Sequence, residues 1–479
     1  MANIIADHGH NVTLLRPYHI NHNTEGLVKN KNIEIIDYFP DHYDDLVNKE
    51  AETYPIFWED PFVNHPVLEA LVAPKIISQS IEKTASQLLT DHKVLEELKS
   101  KKFDVVIAET FEITGVYLAY LLNVPCIPIM PAVRFTNTMD IFGQPSILGY
   151  VQQPGSKMAP EAGFLDRLSD VYRFFLFNFN TDSNSFYQQK VFEKALGRPL
   201  PDWKDLLKQS PIYMTNSNPY LDFAVPTTAT IVHIGGITVD QEKKKNMAPL
   251  PEDYEKILRE RDSTVLISFG SVIRSFQMPE NFKAGIIKMF ESLSDVTFIW
   301  KYEKDDVEFQ KRLPKNVHLK KWVPQPALLA DKRVKVFVTH GGLGSTGEVA
   351  YSGKPALMVP IFGDQPHNAD MLDGEKLTKA IRSLVFDSKY KKNAEALLDV
   401  LSNQPIDPKM NLMKHLEFAM RFPNLRSQVP AINQVGLIAH YYLDVVVFLI
   451  ALSGISLYYS FRIVMWIFRK FSTKKTKSE

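Results

Sequence analysis

The chain has 479 residues, of which 45% are hydrophobic and 23% are charged. This length exceeds what one hydrophobic core comfortably serves and predicts two domains with additional segments. The composition is that of a folded protein and excludes a disordered one. Lysine plus arginine and aspartate plus glutamate both number 55, which argues against nucleic-acid binding, because such domains normally carry a basic surplus. The single cysteine, Cys126, excludes an internal disulfide framework and a site of several thiolates.

The first half of the chain predicts alternating strands and helices. Short apolar strands are expected at Asn11–Leu15, Ile33–Tyr38, Phe103–Ala108 and Pro125–Ile129, and a helix is expected at Glu112–Leu122. Residues 150–186 are rich in aromatic side chains. Their pattern leaves open whether they pack against a membrane or line a substrate pocket.

A change in composition divides the chain. The segment Gly235–Glu260 is polar and contains glycine, proline and a run of lysines, which predicts an interdomain linker. Beyond it, apolar runs separated by helical segments predict strands at Val265–Phe269, Val296–Lys301, Val317–Lys321, Val334–Thr339 and Ala356–Pro360. Strands that alternate with helical crossovers predict a parallel sheet. We therefore expect an α/β protein of two Rossmann-like, doubly wound domains that face each other.

An apolar segment near the C-terminus predicts a membrane anchor. Val445–Phe461 contains no charged residue, and Ile463–Phe468 extends it to about the 20 residues that a bilayer core requires if Arg462 snorkels to the interface. The alternative is a buried core helix. Beyond the anchor, lysine and arginine outnumber the one acid, Glu479, with cations at Arg469, Lys470, Lys474, Lys475 and Lys477. This asymmetry predicts a cytosolic tail and a lumenal main body.

The spacing of two tail lysines suggests a compartment. Lys475 and Lys477 have the arrangement of a dilysine signal for retrieval to the endoplasmic reticulum. We expect a single-pass type I protein of that membrane. The predicted boundaries are an N-terminal domain over 1–235, a linker over 236–260, a second domain over 261–410, helices over 411–443, a transmembrane helix over 444–468 and a basic tail over 469–479.

A glycine-rich turn in the second half predicts a phosphate site. Ligands of doubly wound sheets bind at the carboxyl ends of the strands, and strand Val334–Thr339 continues into the turn His340–Ser345, which contains Gly342 and Gly344. Such a turn at a helix N-terminus exposes backbone amides that bind phosphate. Glu348, one turn along the helix, could reach a ribose diol. Tight packing alone is the alternative.

Three further turns point to the same edge of the sheet. Asp364 and Gln365 follow the next strand, where an acid beside an amide can bind neighbouring sugar hydroxyls; a helix N-cap at Asp364 is the alternative. Trp322 could stack on a base whose edge Gln325 reads, or it could be a core residue. Ser271 adds a polar turn after the first strand of this half.

This set resembles the signature of the UDP-glycosyltransferases, in the animal, nematode-like form of the UDP-glucuronosyltransferase family. The matching segment reads WVPQ…THGGLGSTGEVAYSGKPALMVPIFGDQPHNA, and the NVTLLRP opening, the linker and the anchor extend the resemblance over nearly the whole chain. It implies a GT-B fold whose first domain binds the acceptor and whose second domain binds the UDP-sugar. The implied UDP-sugar contacts are Ser271, Trp322, Gln325, His340, Gly342, Gly344, Ser345, Glu348, Asp364 and Gln365.

Within that resemblance each contact has an expected role. Trp322 and Gln325 are expected to bind uracil and ribose, and His340 the diphosphate. Gly344 stands where relatives often have asparagine, so its backbone is expected to do that work beside the other residues of the turn. Glu348 is expected to hold the ribose hydroxyls, and the Asp364–Gln365 pair the transferred sugar.

The resemblance also implies the chemistry. Members invert the anomeric carbon without a metal, so we expect no cofactor beyond the UDP-sugar co-substrate. The family uses a histidine base to deprotonate the acceptor hydroxyl, and Glu109 supplies the acid that orients it. The expected position of that histidine lies before Met1, and Met1–His10 lacks the apolar run of a signal peptide. We therefore expect a sequence that begins late, by truncation or as a short form.

Three functions are open at this point. The first is an enzyme that conjugates a small lipophilic acceptor with glucuronic acid or glucose; Asp222–Thr230 lacks the arginine that would favour glucuronate. The second is a UDP-sugar-binding membrane protein with little or no catalysis, because the histidine base is absent. The third is a soluble nucleotide-binding protein with a helical tail. Neither the acceptor nor a homo- or hetero-oligomeric state can be read from the pattern.

Overall fold

A computed structural model describes most of the chain. The described residues are 1–18, 28–43, 82–132, 136–144, 163–222, 224–239, 249–270, 273–359, 377–425, 437–440 and 442–475. They belong to two compact units, Met1–Arg426 and Ser427–Glu479. The first unit contains both predicted α/β halves, and the second contains the predicted anchor.

The N-terminal half is built on parallel strands. Its described strands are β1 (Val12–Pro17), β2 (Ile33–Tyr38), β3 (Val106–Glu109), β4 (Cys126–Met130), β5 (Tyr213–Thr215) and β6 (Ile231–His233). Strand β1 pairs with β2, and β3 to β6 form a second sheet in chain order, with every pair parallel. The four predicted strands are confirmed, with ends that shift by at most three residues.

Helices connect these strands. They are α1 (Ala2–Asp7), α2 (residues 82–90), α3 (His92–Ser100), α4 (Thr114–Leu122), α5 (Thr136–Ile141), α6 (Phe164–Leu196) and α7 (Trp203–Leu207). The aromatic-rich segment left unassigned by its pattern lies partly in α6. That helix begins where the Asp166 carboxylate accepts a hydrogen bond from the Gly163 amide at 2.9 Å, and it ends at Gly197, whose φ of +65° suits glycine.

Large side chains fill the core of the N-terminal half. Tyr117 of α4 and Phe192 of α6 are fully buried and meet edge to face at 5.9 Å between ring centroids. Trp203 of α7 and Tyr213 of β5 complete the same cluster. This packing explains why α6 is stable despite its exposed aromatic side chains: its buried face contacts both neighbouring helices and the sheet.

The C-terminal half contains a continuous five-stranded parallel sheet. Its strands are β7 (Thr264–Ser268), β8 (Thr297–Lys301), β9 (Val317–Lys320), β10 (Val334–Thr339) and β11 (Ala356–Met358). Their spatial order is β11-β10-β7-β8-β9, and all pairs are parallel. All five predicted strands are confirmed within two residues at each end. Every residue of β7 and β8 is buried, as expected of central strands covered on both faces.

Helices surround this sheet. They are α8 (Glu252–Leu258), α9 (Glu280–Ser292), α10 (Val307–Lys311), α11 (Gln325–Ala330), α12 (Leu343–Ala350), α13 (Leu377–Phe386), α14 (Ser388–Ser402) and α15 (Pro408–Arg421). Helix α8 lies in the segment that we predict as linker, and its Tyr254, Ile257 and Leu258 pack in the core of this half. Helix α15 instead contributes Leu412 and Leu416 to a core cluster of the N-terminal sheet.

The second unit is a long apolar helix. A short helix, α16 (Leu437–His440), precedes α17 (Leu443–Lys475). Within α17, Leu443–Ile467 is long and apolar enough to cross a membrane, and none of its most apolar window is buried. At about 1.5 Å per residue this span exceeds the thickness of a bilayer core of roughly 30 Å. Its exposure is the reverse of what the core-helix alternative requires.

Candidate functional site

The carboxyl ends of the C-terminal strands bring the predicted donor contacts to one edge. Because the five strands are parallel, the residues that follow them emerge on the same side of the sheet. The register aligns the tips: Thr339 of β10 lies opposite Ser268 of β7, and Lys301 of β8 lies opposite Lys320 of β9. The order of the strands therefore places the turn after β10 beside the turn after β7, although about 70 residues separate them in sequence.

The imidazole of His340 lies between two glycines. A Cβ atom built on Gly270 would lie 2.7 Å from Cε1 of His340, and one built on Gly342 would overlap Nε2 of the same ring. Gly270 also has a φ of +89°, a conformation that other residues adopt only at a cost. Both glycines are therefore required to seat the histidine, in addition to the close approach to phosphate that the sequence predicts.

His340 is held in its neutral form. Burial, assisted by the positive charge of Lys301, lowers the pKa of His340 to about 4. The hydroxyl of Thr339 lies 3.4 Å from its Nδ1 atom. A neutral imidazole carries one N–H donor and one acceptor, so at pH 7 His340 can donate a single hydrogen bond to an oxyanion without introducing a full charge.

The turn after β10 leads into the N-terminus of helix α12. Gly342 caps α12, and the first amides of a helix, here those of Leu343, Gly344 and Ser345, have no acceptor within the helix. Among the described residues outside its own helix and its chain neighbours, no atom lies within 4 Å of a Cβ built on Gly344. The Thr346 hydroxyl donates to the carbonyl oxygen of Gly341 at 3.1 Å and ties the turn to the first helical turn. Backbone amides and the helix dipole together favour an anion here.

Gln325 and Glu348 contact each other. The Nε2 atom of Gln325, the first residue of α11, donates to Oε2 of Glu348 in α12 at 2.7 Å. Both side chains are half-buried. The sequence predicts a separate ribose contact for each, and the structure joins them in one amide–carboxylate pair. The pair fixes the carboxylate that is predicted to accept the ribose hydroxyls.

Trp322 is a surface residue held by its backbone. Its side chain is 72% exposed, which contradicts the alternative of a core residue. The hydroxyl of Tyr254 donates to the carbonyl oxygen of Trp322 at 2.8 Å, and the neighbouring Val323 is buried. The indole therefore projects from an anchored turn, as a stacking platform for a base requires.

The structure places at this edge one further residue, Lys301, that the sequence pattern does not single out. Lys301 ends the otherwise apolar strand β8, its side chain is buried, and its ammonium donates to the carbonyl oxygen of Gly270 at 2.5 Å. The same ammonium lies 5.1 Å from the ring centroid of Trp322. The available signal was a lysine at the end of a buried strand, in register with the tips that carry the predicted site.

Four of the predicted site residues are not among the described residues of this sheet edge. Glu109 is exposed at the carboxyl end of β3, in the sheet of the N-terminal half. Its charge contributes, after burial, to raising the pKa of Tyr213 to about 12. Ser271, Asp364 and Gln365 lie outside the described residues, so their predicted roles stay predictions.

A cleft of about 490 Å³ runs between the two halves of the first unit along α12. It reaches from Gly344 to Tyr351, whose hydroxyl accepts hydrogen bonds from the amides of Asn218 (3.2 Å) and Gln404 (3.1 Å). Asn218 belongs to the N-terminal half, so this contact joins the halves beside the cleft. A Cβ on Gly236, the first residue of the predicted linker, would overlap the Tyr351 hydroxyl, so the chain that leaves the N-terminal half also packs closely against Tyr351.

Comparisons with known proteins agree with this arrangement. The family model described as UDP-glucoronosyl and UDP-glucosyl transferase matches residues 1–478. UDP-glucuronosyltransferase 3A2 of Homo sapiens is 26% identical over 470 residues, which cover 95% of this chain and 87% of the human protein. UDP-glucuronosyltransferase 3A1 of Bos taurus is 27% identical over 474 residues, with coverage of 95% and 87%. The structure of Os79 from O. sativa in complex with UDP is similar with a TM-score of 0.57 at 17% identity, over 87% of this chain and 95% of that chain.

These findings confirm the predicted family, the GT-B fold and the enzyme class. They give no support to the second prediction, a UDP-sugar-binding protein without catalysis. The described residues also include an apolar helix, Leu443–Ile467, long enough to span a membrane, as the predicted anchor requires. The chain therefore belongs to the family of UDP-glucuronosyl and UDP-glucosyl transferases, and it is a glycosyltransferase that takes its sugar from a UDP-sugar.

Proposed function

We propose that this enzyme transfers glucuronic acid or glucose, with inversion, from the UDP-sugar to a hydroxyl-type group of a small lipophilic acceptor. The observation that carries the proposal is the convergence at one sheet edge of an exposed indole, an amide–carboxylate pair and a neutral histidine at a helix N-terminus. These groups match, in order, a base, a ribose diol and a diphosphate.

The proposed donor contacts follow that order. Trp322 stacks on uracil, the Gln325–Glu348 pair binds the ribose, and the diphosphate lies between His340 and the amides of Gly342, Gly344 and Ser345. Asp364 and Gln365 hold the hydroxyls of the transferred sugar, with Ser271 beside it. The proposal gains support from the register of the strands, in which the described ends of β10, β7, β8 and β9 lie next to one another.

In the proposed mechanism the acceptor oxygen attacks the anomeric carbon from the face opposite UDP. A general base, oriented by Glu109, takes the acceptor proton while the bond between the anomeric carbon and the β-phosphate oxygen breaks. The electron pair leaves with UDP, whose developing charge meets the N–H of His340 and the N-terminus of α12. Because the partial positive charges of the N–H group and of the helix N-terminus stabilise the negative charge that develops on UDP, we propose that transfer needs neither a metal nor a cofactor.

The proposed location is the membrane of the endoplasmic reticulum. Helix α17 would cross it once in a type I orientation, with the basic tail cytosolic and the main body lumenal. The excess of lysine and arginine after the apolar span supports this orientation. Protease protection of the main body in sealed microsomes tests it, because a cytosolic body would be digested without detergent.

A binding and turnover experiment tests the proposed reaction. The full chain in detergent micelles is titrated calorimetrically with UDP, UDP-glucose and UDP-glucuronate, and then incubated with each donor and a panel of phenols and lipophilic alcohols. We expect heat with UDP, product from at least one donor, and a β-linked product by NMR from an α-linked donor. The assignment of this site would be disproved if no uridine diphosphate ligand gave heat and if neither His340→Ala nor Asp364→Ala changed binding or turnover.

A further inference from the structure

Lys301 is a buried cation at the tip of a central strand. Its side chain is 8% exposed, and the carboxylate of Glu303 lies 3.9 Å from its ammonium. Burial lowers the pKa of Lys301, with Glu303 opposing this effect and Arg274 adding to it. A methionine of similar length would fill this place without the cost of burying a charge. The presence of a charged side chain here therefore requires an explanation.

The contacts of the ammonium supply that reason. It donates to the carbonyl oxygen of Gly270, the residue after β7 that borders His340. It also lies over the indole of Trp322 at 5.1 Å from the ring centroid, while that indole stays 72% exposed. One cation therefore links the tips of β7, β8 and β9, and it holds an aromatic ring that would otherwise have several accessible rotamers.

We infer that Lys301 is a positioning residue for the nucleotide: anchored on the Gly270 carbonyl, its ammonium holds the Trp322 indole in the orientation on which the uracil base stacks. This inference rests on the proposed function, in which Trp322 binds the base. Lys301 acts through Trp322 and does not contact the base itself. The entropy of ordering the indole is then lost on folding and not on binding, which strengthens the affinity for UDP.

The experiment compares four forms of the full chain in micelles by calorimetry with UDP. They are the unaltered protein, Lys301→Met, Lys301→Arg and the control Lys283→Met. Lys283 is a matched control because it is equally buried, donates to the Phe276 carbonyl oxygen and lies over aromatic rings, but it belongs to α9. We expect Lys301→Met to raise the Kd of UDP roughly tenfold, Lys301→Arg to restore most of the affinity, and Lys283→Met to leave it unchanged.

A double-mutant cycle with Trp322→Ala separates positioning from direct contact. If Lys301 acts through the indole, Lys301→Met changes the Kd of UDP by less than about twofold once the indole is absent. A further tenfold loss in the Trp322→Ala background would mean direct contact with UDP and would overturn the inference. Thermal unfolding checks each variant, and Lys301→Gln, which keeps a donor but loses the cation, replaces Lys301→Met if the latter unfolds.

Two outcomes are distinguishable. If the unaltered protein gives no heat with UDP, the proposed function fails. If the unaltered protein binds UDP and Lys301→Met binds it equally well, the inference about Lys301 fails while the proposed function stands. The pKa of His340, followed by NMR, gives a second readout: removal of the Lys301 charge should raise it, whereas Lys301→Arg and Lys283→Met should not.

Discussion

The strand tips of the two halves differ in chemistry. In the C-terminal half, glycines seat the half-buried His340, and the ammonium of the buried Lys301 lies over the indole of Trp322. In the N-terminal half, the tips of β1 and β2 carry aromatic rings: Tyr18 and Phe39 stack at 4.4 Å between centroids, and Phe39 is 53% exposed.

The burial of the strands behind these tips differs as well. Strands β7 and β8 are buried at every residue, whereas β1 is only half-buried along its length. A charged, invariable ligand such as a diphosphate needs donors held in place before it binds. A variable apolar acceptor needs only an accessible apolar surface. The difference teaches that the tips of the C-terminal half are polar and closely packed. We propose that they bind the donor, and that the exposed aromatic surface of the N-terminal half binds the acceptor.

The strongest test of a rigid donor side is Gly270→Ala. The added Cβ would displace the His340 ring and would occupy a φ of +89°, so we expect a loss of about 3 kcal/mol in folding free energy and roughly a 100-fold weaker Kd for UDP. Urea unfolding and calorimetry measure the two effects. The control Gly285→Ala, at an open helical position in α9, should stabilise the fold by about 0.5–1 kcal/mol. If Gly270→Ala and Gly285→Ala had the same free energy of unfolding and the same Kd for UDP, the proposed difference between the two halves would be wrong.

The next largest effect is a pH dependence that originates at His340. The pKa of His340 is about 4 in the folded protein, against an ordinary value of 6.5, so the unfolded chain binds the proton more readily. The stabilisation is therefore complete above about pH 6.5 and is lost as the pH falls toward 4. We expect about 2 kcal/mol less stability from this residue at pH 4.5 than at pH 7.5. Urea unfolding of His340→Asn should show a smaller decrease in the free energy of unfolding between pH 7.5 and pH 4.5. A decrease identical to that of the unaltered protein would contradict the assignment of this pH dependence to His340.

Trp322→Ala separates binding from stability. Because the indole is exposed and projects from an anchored turn, its removal should leave the unfolding midpoint unchanged. The loss of base stacking should weaken UDP binding by about 1–3 kcal/mol, roughly 5- to 150-fold. Phe282→Ala, which removes a 53% exposed ring from α9, serves as control and should not affect UDP. A stability loss in Trp322→Ala without weaker UDP binding would show that the indole is structural.

The smallest expected effect lies on the acceptor side. Phe39→Ala removes half of the stacked pair with Tyr18 and should raise the KM of an aromatic acceptor about fivefold, equal to roughly 1 kcal/mol. The KM of the UDP-sugar should stay unchanged. Steady-state kinetics with both substrates varied gives the two constants. A change in the donor KM alone would reverse the proposed assignment of the two halves.

Local sequence patterns predict the strands that lie within continuous apolar runs. The five strands of the C-terminal sheet are predicted within two residues, because continuous apolar runs between helical segments are typical of buried parallel strands. Strands β5 and β6 have three residues each and are not predicted. Strand β11 is equally short, but it lies in the longer apolar run Ala356–Phe362, which predicts a strand. Helix α6 was unassigned for a different reason: its aromatic residues occupy both its buried and its exposed faces.

The sequence by itself determined the family, the parallel α/β halves, the apolar C-terminal helix and the residue types of the candidate site, since these depend on composition, period and motif. Only the tertiary structure decided which of those residues meet. Gln325 reaches Glu348 across 23 positions and Lys301 reaches Gly270 across 31. The physical reason is that the sheet order β11-β10-β7-β8-β9 differs from the chain order, so contacts between strand tips depend on packing over the whole sheet and leave no local pattern.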